Sequence, residues 1–139
     1  MALNKFSLKD KTALITGAAG LLGEEHATAL LEVDANVILT DIDLTKLESL
    51  KKKLNKSWDS KKISVYKMDI TNQKEVENIA KEIVKEGRFV DILINNAAVN
   101  PNYESLKESK YKSRLEDFSL ERWEKELKVG LTGAFICSK

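Results

Sequence analysis

The sequence predicts an α/β fold built on a doubly wound parallel sheet, and three observations carry that prediction. Short apolar runs alternate with helix-period segments along the chain, the pattern of βαβ units joined by right-handed crossovers. A glycine-rich turn, Thr16-Gly17-Ala18-Ala19-Gly20-Leu21-Leu22-Gly23, separates the first run from the first helical segment. The second and third runs each end in an acid, Asp41 and Asp69.

Strand one is expected over Lys11–Thr16, centred on Ala13-Leu14-Ile15. A helix from Leu21 to about Val33 follows, with Leu22, Ala29, Leu30 and Val33 as its apolar positions. Strand two is Asn36-Val37-Ile38-Leu39-Thr40, ending in Asp41. Thr45–Leu54 reads as a helix with Leu47, Leu50 and Leu54 on one side, and Asn55–Lys62 as a polar connection. Ile63–Met68 is strand three. The next helix runs from Asn72 to about Lys85, where Asn72 and Glu75 resemble a capping box and Val76, Ile79, Ala80, Ile83 and Val84 form one stripe. Val90–Ile94 is strand four. Val99–Phe118 is a polar stretch with Pro101, longer than a usual strand-to-helix connection. It leaves the carboxyl end of strand four, so it reads either as a substrate-facing loop or as a tolerated surface insertion. Ser119 is placed to cap a last helix that runs toward Lys139. The whole is a Rossmann-like sheet, truncated after the helix that follows strand four.

At 139 residues the chain is at most one domain, 1–139, with room for a core. With 42% hydrophobic and 32% charged residues it suits a soluble globular protein rather than a disordered or membrane chain. A net charge of +1 supplies no field to recruit nucleic acid or an anionic membrane. Lys51-Lys52-Lys53 and Lys61-Lys62 are expected to be solvated surface. No apolar run has the length of a membrane span, and the N-terminus lacks the apolar core of a signal peptide. The single Cys137 cannot form an internal disulfide and reads as a small hydrophobe on a helix, which points to the cytoplasm. With His26 as the one histidine, neither a Ser-His-Asp arrangement nor a His-based zinc site is credible, and no metal is expected.

A glycine turn between a strand and a helix is a physical recipe for holding a pyrophosphate. Glycine lets the backbone approach the ligand without a Cβ in the way. The helix N-terminus offers unpaired N–H groups and a positive dipole end. The turn lacks the Gly-Lys-Ser/Thr ending of a P-loop. Asp41 lies some twenty residues on, where an acid meets the adenosine ribose. A carboxylate there accepts from both ribose hydroxyls and repels a 2′-phosphate, which favours NAD over NADP; Ile42-Asp43 adds acid rather than a base. Asp43 is better placed than Asp41 to cap the following helix. Asp69 either reaches the adenine amino group or serves as a turn carboxylate before Thr71-Asn72.

On these residues the chain resembles the short-chain dehydrogenase/reductase family. Thr16–Gly23 matches its glycine motif, Asp41 its NAD-selecting acid, and Asp69-Ile70-Thr71 its adenine-side acid. Asn95-Asn96-Ala97-Ala98 matches the Asn-Asn-Ala-Gly motif after strand four, and Phe118 to Phe135 resembles the next helix. The resemblance implies hydride transfer between a nicotinamide cofactor and a carbonyl or alcohol, a small-molecule substrate, and a homo-oligomer, dimer or tetramer, of the full-length protein. It implies a cofactor site of Gly17, Ala19, Gly20, Leu21, Leu22, Gly23, Asp41, Ile42, Asp69, Ile70, Asn95, Ala97 and Ala98.

Three departures accompany it. Gly20 with Leu21 after it resembles the spacing of the nucleotide-sugar-modifying branch, whereas Asn95–Ala98 resembles the ordinary branch. Gly130 stands where the family often carries an Asn that supports a proton-relay water; the wording around it, Gly130-Leu131-Thr132-Gly133-Ala134-Phe135, is similar to oxidoreductases of bacterial sugar pathways of the flagellin-glycan or sialic-acid type. The family's Ser and Tyr-x-x-x-Lys lie on elements beyond the last helix here, so no catalytic residue is expected in this chain. Tyr103-Glu104-Ser105-Leu106-Lys107 has the spacing but the wrong place in the topology, and reads as a coincidence. The alternatives are a non-catalytic nucleotide-binding module and a nucleotide-sugar epimerase or dehydratase. A sheet of this extent leaves strand one or four with an open edge, so the 139 residues are expected to associate or to be marginal. Trp123, Leu127 and Phe135 read as core or as contact surface.

Overall fold

The structure, a computed structural model, describes residues 5–99 and 115–139. Most of the polar stretch, including Pro101 and the Tyr103–Lys107 spacing, lies outside the described residues.

Four parallel strands, β1 (Thr12–Thr16), β2 (Asn36–Asp41), β3 (Ile63–Lys67) and β4 (Ile92–Ile94), form one sheet in the order β3-β2-β1-β4. Leu14 is paired with Ile38 on one side and Leu93 on the other. The apolar continuity of β1 follows from this central place, since both its faces and both its edges are covered; all five of its residues are buried.

The strand side chains alternate between two cores. Ile15, Val37 and Leu39 pack beneath α1 (Leu21–Glu32) and α2 (Leu44–Leu54), with Ala27, Leu31, Leu47, Leu50 and Leu54. Leu14 and Ile38 face the opposite way, toward Ile79 and Ile83 of α3 (Gln73–Lys85) and toward Val129 and Cys137. Helices therefore cover both faces, and each fully buried leucine of α2 contributes roughly 1.5–3 kcal/mol.

Caps set the helix starts. Asp43, Asn72 and Ser119 each accept the N–H three residues on. The capping box at α3 forms by half: Asn72 accepts from Glu75 N–H at 3.3 Å, but Glu75 Oε1 turns to Asp69 N–H at 3.0 Å, not to Asn72. The α1 stripe differs from the sequence expectation. Gly23, Ala27 and Leu31 face the core, while Leu22 and Ala29 are exposed and Leu30 is only partly buried. A glycine and an alanine occupy the tightest positions, which a pattern of large apolar residues does not reveal. In α3, likewise, Ala80 and Val84 are exposed. α2 begins at Leu44 rather than Thr45, and β4 is shorter than Val90–Ile94 because Asp91 turns its carboxylate to Thr12 N–H and the Lys11 ammonium.

The last helix is not continuous. α4 (Leu120–Leu127) passes into a π turn, Lys128–Gly133, and then into α5 (Ala134–Ser138). Gly133 is buried there against Ile70: a Cβ would meet Ile70 Cδ1 at 2.6 Å. Trp123, Leu127 and Phe135, read as core or contact surface, are not core: they are exposed, together with Leu120 and Leu131. Two of the five clustered lysines are engaged, Lys53 with Glu24 and Lys62 with Asp34.

Candidate functional site

The strand order reverses between β1 and β4: β2 and β3 follow on one side of β1, then the chain crosses to the other. The crevice outside the carboxyl ends of these strands is where ligands bind in open α/β sheets. Two sequence motifs meet at that point. The glycine turn leaves β1 and Asn95–Ala98 leaves β4.

Close approach dictates the residue types. Gly17 adopts φ +62°, and a Cβ on it would lie 2.7 Å from Ala97 Cα. At Gly23 a Cβ would fall 2.5 Å from both Ala18 Cα and the Gly17 carbonyl oxygen, so the first turn of α1 is seated directly on the loop. Gly20 is different: its Cβ would meet the Gly17 oxygen at 3.3 Å and nothing nearer. Gly20 is also the N-cap of α1 and has no side chain to cap it. The opening N–H groups of that helix thus keep no side-chain partner at the N-cap, which suits an anion.

A network of hydrogen bonds fixes the two loops to each other. Thr16 Oγ1 accepts from Asn96 N–H and from Ala97 N–H, each at 3.1 Å. Asn96 Nδ2 donates to the Thr16 and Gly17 carbonyls at 3.0 and 2.9 Å. Ala18 N–H reaches the Thr40 carbonyl at 3.0 Å, joining the turn to β2 as well. Thr16 and Asn96 are site-building residues that the expected set of cofactor residues omits. Their motif is visible in the sequence, but these bonds span about 80 positions and no local signal marks them.

The remaining expected residues fall as follows. Asp41, half-buried at the end of β2, accepts from Ala19 N–H at 3.2 Å through Oδ2 and from Asp43 N–H at 3.1 Å through Oδ1. Ile42 beside it is exposed, and so are Leu21 (85%) and Leu22 (63%) at the start of α1. These are large apolar side chains held open at the carboxyl end of the sheet. Asp69 Oδ1 accepts from Thr71 N–H and Thr71 Oγ1, both at 2.8 Å, the bonds of a turn carboxylate. Ile70 is buried, so its side chain belongs to the core beneath Gly133 and only its backbone can serve a ligand. Asn95 is exposed and donates to Ser138 Oγ at 3.2 Å, while Ala98 is exposed beyond it.

A family model described as short chain dehydrogenase matches residues 11–139. The chain belongs to the short-chain dehydrogenase family. A short chain dehydrogenase/reductase of Colletotrichum higginsianum is 33% identical over 138 residues, covering 98% of this chain and 47% of that protein. An uncharacterized oxidoreductase of Staphylococcus aureus is 30% identical over 132 residues, covering 95% and 51%. Among solved structures, a short chain dehydrogenase of Bacillus anthracis superposes with a TM-score of 0.76 at 30% identity, covering 92% of this chain and 48% of that one. A gluconate 5-dehydrogenase of Burkholderia cenocepacia, in complex with NADP and tartrate, superposes with a TM-score of 0.81 at 24% identity, covering 99% and 49%. The chain thus spans about half the length of these relatives.

Family membership implies a nicotinamide cofactor. A glycine at Gly17 that tolerates no Cβ, an N-cap without a side chain and an acid at the end of β2 make a cradle of the right chemistry for a dinucleotide. At Gly130 a Cβ would meet nothing within 4 Å; the residue lies in the π turn and is open to solvent. Among the described residues no group of three or more His, Cys, Asp or Glu is placed to share a metal ion, and no helix is long and apolar enough to cross a membrane.

Proposed function

We propose that residues 1–139 form the dinucleotide-binding part of an NAD-dependent short-chain oxidoreductase, which moves hydride between nicotinamide and a small carbonyl or alcohol. The observation that carries the cofactor choice is the Asp41 carboxylate at the end of β2, beside the glycine turn. The turn and the first N–H groups of α1 would receive the pyrophosphate. Asp41 would accept from the ribose hydroxyls and repel a 2′-phosphate. Ile42 and the Asp69-Ile70 backbone would border the adenine, and Asn95, Ala97 and Ala98 would line the crevice toward the nicotinamide. When bound, that ring supplies or takes the hydride. The substrate is a small molecule, with a sugar derivative suggested by the Gly130–Phe135 wording.

Calorimetric titration with NAD and NADP tests this reading. Binding of NAD at least about tenfold tighter, a difference of ~1.4 kcal/mol, is expected. Equal or tighter binding of NADP, the cofactor held by the Burkholderia relative, would overturn it. Gly130 favours a second reading, a module that binds nucleotide without turnover. It predicts no NADH-linked reduction of any carbonyl by this chain, and robust turnover would exclude it.

We further propose that the chain self-associates, in the cytoplasm. Support comes from the outer edge of β4, unpaired among the described residues, and from the exposed residues Leu120, Trp123, Leu127, Leu131 and Phe135 along α4, the π turn and α5. Light scattering is expected to give a mass above 15.6 kDa that falls toward that value in the double variant L131E/F135E. A wild-type monomer at all concentrations would overturn this.

A further inference from the structure

We infer that Asp41 also positions the glycine turn, so that the group offered to the ribose holds in place the groups offered to the phosphates. The ligand half of this inference rests on the NAD reading above; the loop half stands on geometry alone.

Asp41 grips two turns at once. Its Oδ2 accepts the Ala19 N–H at 3.2 Å, in the middle of the turn after β1, and its Oδ1 accepts the Asp43 N–H at 3.1 Å, in the turn after β2. Ala19 is the residue between the two tight points of the glycine turn. On one side Ala18 is buried and bonded to the Thr40 carbonyl at 3.0 Å; on the other Gly20 N–H closes onto the Gly17 carbonyl at 3.2 Å. Neither of those bonds uses the Ala19 N–H, which the carboxylate receives instead. A hydrogen bond to an ionised acceptor is stronger than a neutral one, so this contact is well suited to keep the turn from flexing before any ligand arrives.

The two tasks are compatible in lone pairs. Each carboxylate oxygen offers two acceptor sites, so one on each remains for a ribose hydroxyl after the backbone contacts are made. They are not compatible with a 2′-phosphate. That group would set a dianion against the carboxylate, and swinging the side chain aside to relieve the repulsion breaks the Ala19 bond. Discrimination against NADP then has two parts, direct repulsion and a slackened phosphate cradle. Removing Asp41 abolishes the first but imposes the second on every dinucleotide.

The test is amide exchange by NMR on the cofactor-free 139-residue chain, followed by titration. In the wild type the Ala19 amide is expected to exchange slowly, and in Asp41→Ala about tenfold or more faster, with the β-strand amides of Ile15 and Leu39 unchanged. Should those strand amides also lose protection in Asp41→Ala, the near-isosteric Asp41→Asn replaces it. The two amides bond different oxygens of Asp41, so in Asp41→Asn one of them faces an NH2 donor in place of an acceptor, and Ala19 or Asp43 exchange must rise. A wild-type Ala19 amide that exchanges at the rate of an unstructured peptide, or one unmoved in a folded Asp41→Ala, overturns the positioning role; where Asp41→Asn replaces that variant, Ala19 and Asp43 both unmoved overturns it. In titration, Asp41→Ala is expected to lose about tenfold or more in NAD affinity while NADP gains without reaching the wild-type affinity for NAD. An Asp41→Ala chain that binds NADP as tightly as the wild type binds NAD overturns the two-part discrimination. If the wild type prefers NADP, the NAD reading fails alone, because Ala19 exchange still decides the loop role.

Discussion

Gly17, Gly20 and Gly23 look equivalent on the page of the sequence and are not equivalent in the fold. Gly23 has backbone on the side where a Cβ would go, at 2.5 Å, and backbone cannot yield as a side-chain tip can. Gly23→Ala is therefore expected to lower stability by about 2 kcal/mol or more and to abolish dinucleotide binding, read by chemical denaturation and calorimetry. Gly20→Ala, with one contact at 3.3 Å, is expected to stay within about 1 kcal/mol of the wild type. The glycine turn and Asp41 are legible in sequence because their spacing follows from the chemistry of a phosphate and a ribose. Asn96 and Thr16 are not, because their partners are backbone atoms brought close only by the β1–β4 pairing. Asp69 shows the limit from the other side: a carboxylate after a strand fits both adenine and Thr71, and only the folded turn brings its Oδ1 onto Thr71.

Elements were legible where their own residues decide them. α2 carries Leu47, Leu50 and Leu54 at helical spacing and buries all three, while Leu44 at its first turn is exposed. Ser119 caps α4 through Arg122 N–H at 3.2 Å, and Ser119→Ala is expected to cost about 1 kcal/mol in thermal or urea unfolding. The α1 stripe expected from sequence is out of phase with the fold because the core face is Gly23, Ala27 and Leu31, two of which are too small to register as hydrophobic. The π turn at Lys128–Gly133 has no sequence signature at all. A wide turn arises where packing fixes both ends of a helix in a phase that 3.6 residues per turn does not meet. Here one end is set by the Ser119 cap and the other by Gly133 on Ile70 and Ser138 on Asn95.

Across the molecule, three carboxyls, those of Asp34, Asp43 and Asp91, are each held by a neighbouring lysine. The Lys11 ammonium at 2.8 Å, with the Thr12 N–H, holds the Asp91 carboxyl below the usual carboxylate range. Asp34 is held low in the same way by Lys62, and Asp43 by the Lys46 N–H. A carboxyl depressed in the folded state stabilises it above its unfolded value of about 4 and loses that contribution as pH falls below. The melting temperature is thus expected to drop below about pH 4, and Asp91→Ala should flatten that drop. At the alkaline end burial, aided by a hydrogen bond to Glu86, raises the Tyr66 phenol to about 12. Its neutral form stabilises the fold below about pH 10, a contribution lost as pH rises toward 12.

The contact between Gly17 and Ala97 has a consequence for cooperativity. Ala18 and Ala19 belong to the core beneath α1 and α2, whereas Ala97 belongs to the core beneath α3. The two hydrophobic layers are otherwise separated by the thickness of one sheet, and at this point their loops meet with no room for a methyl group. A ligand laid across the crevice would touch both layers at once and tie their unfolding together, so that halves able to loosen separately would melt as one.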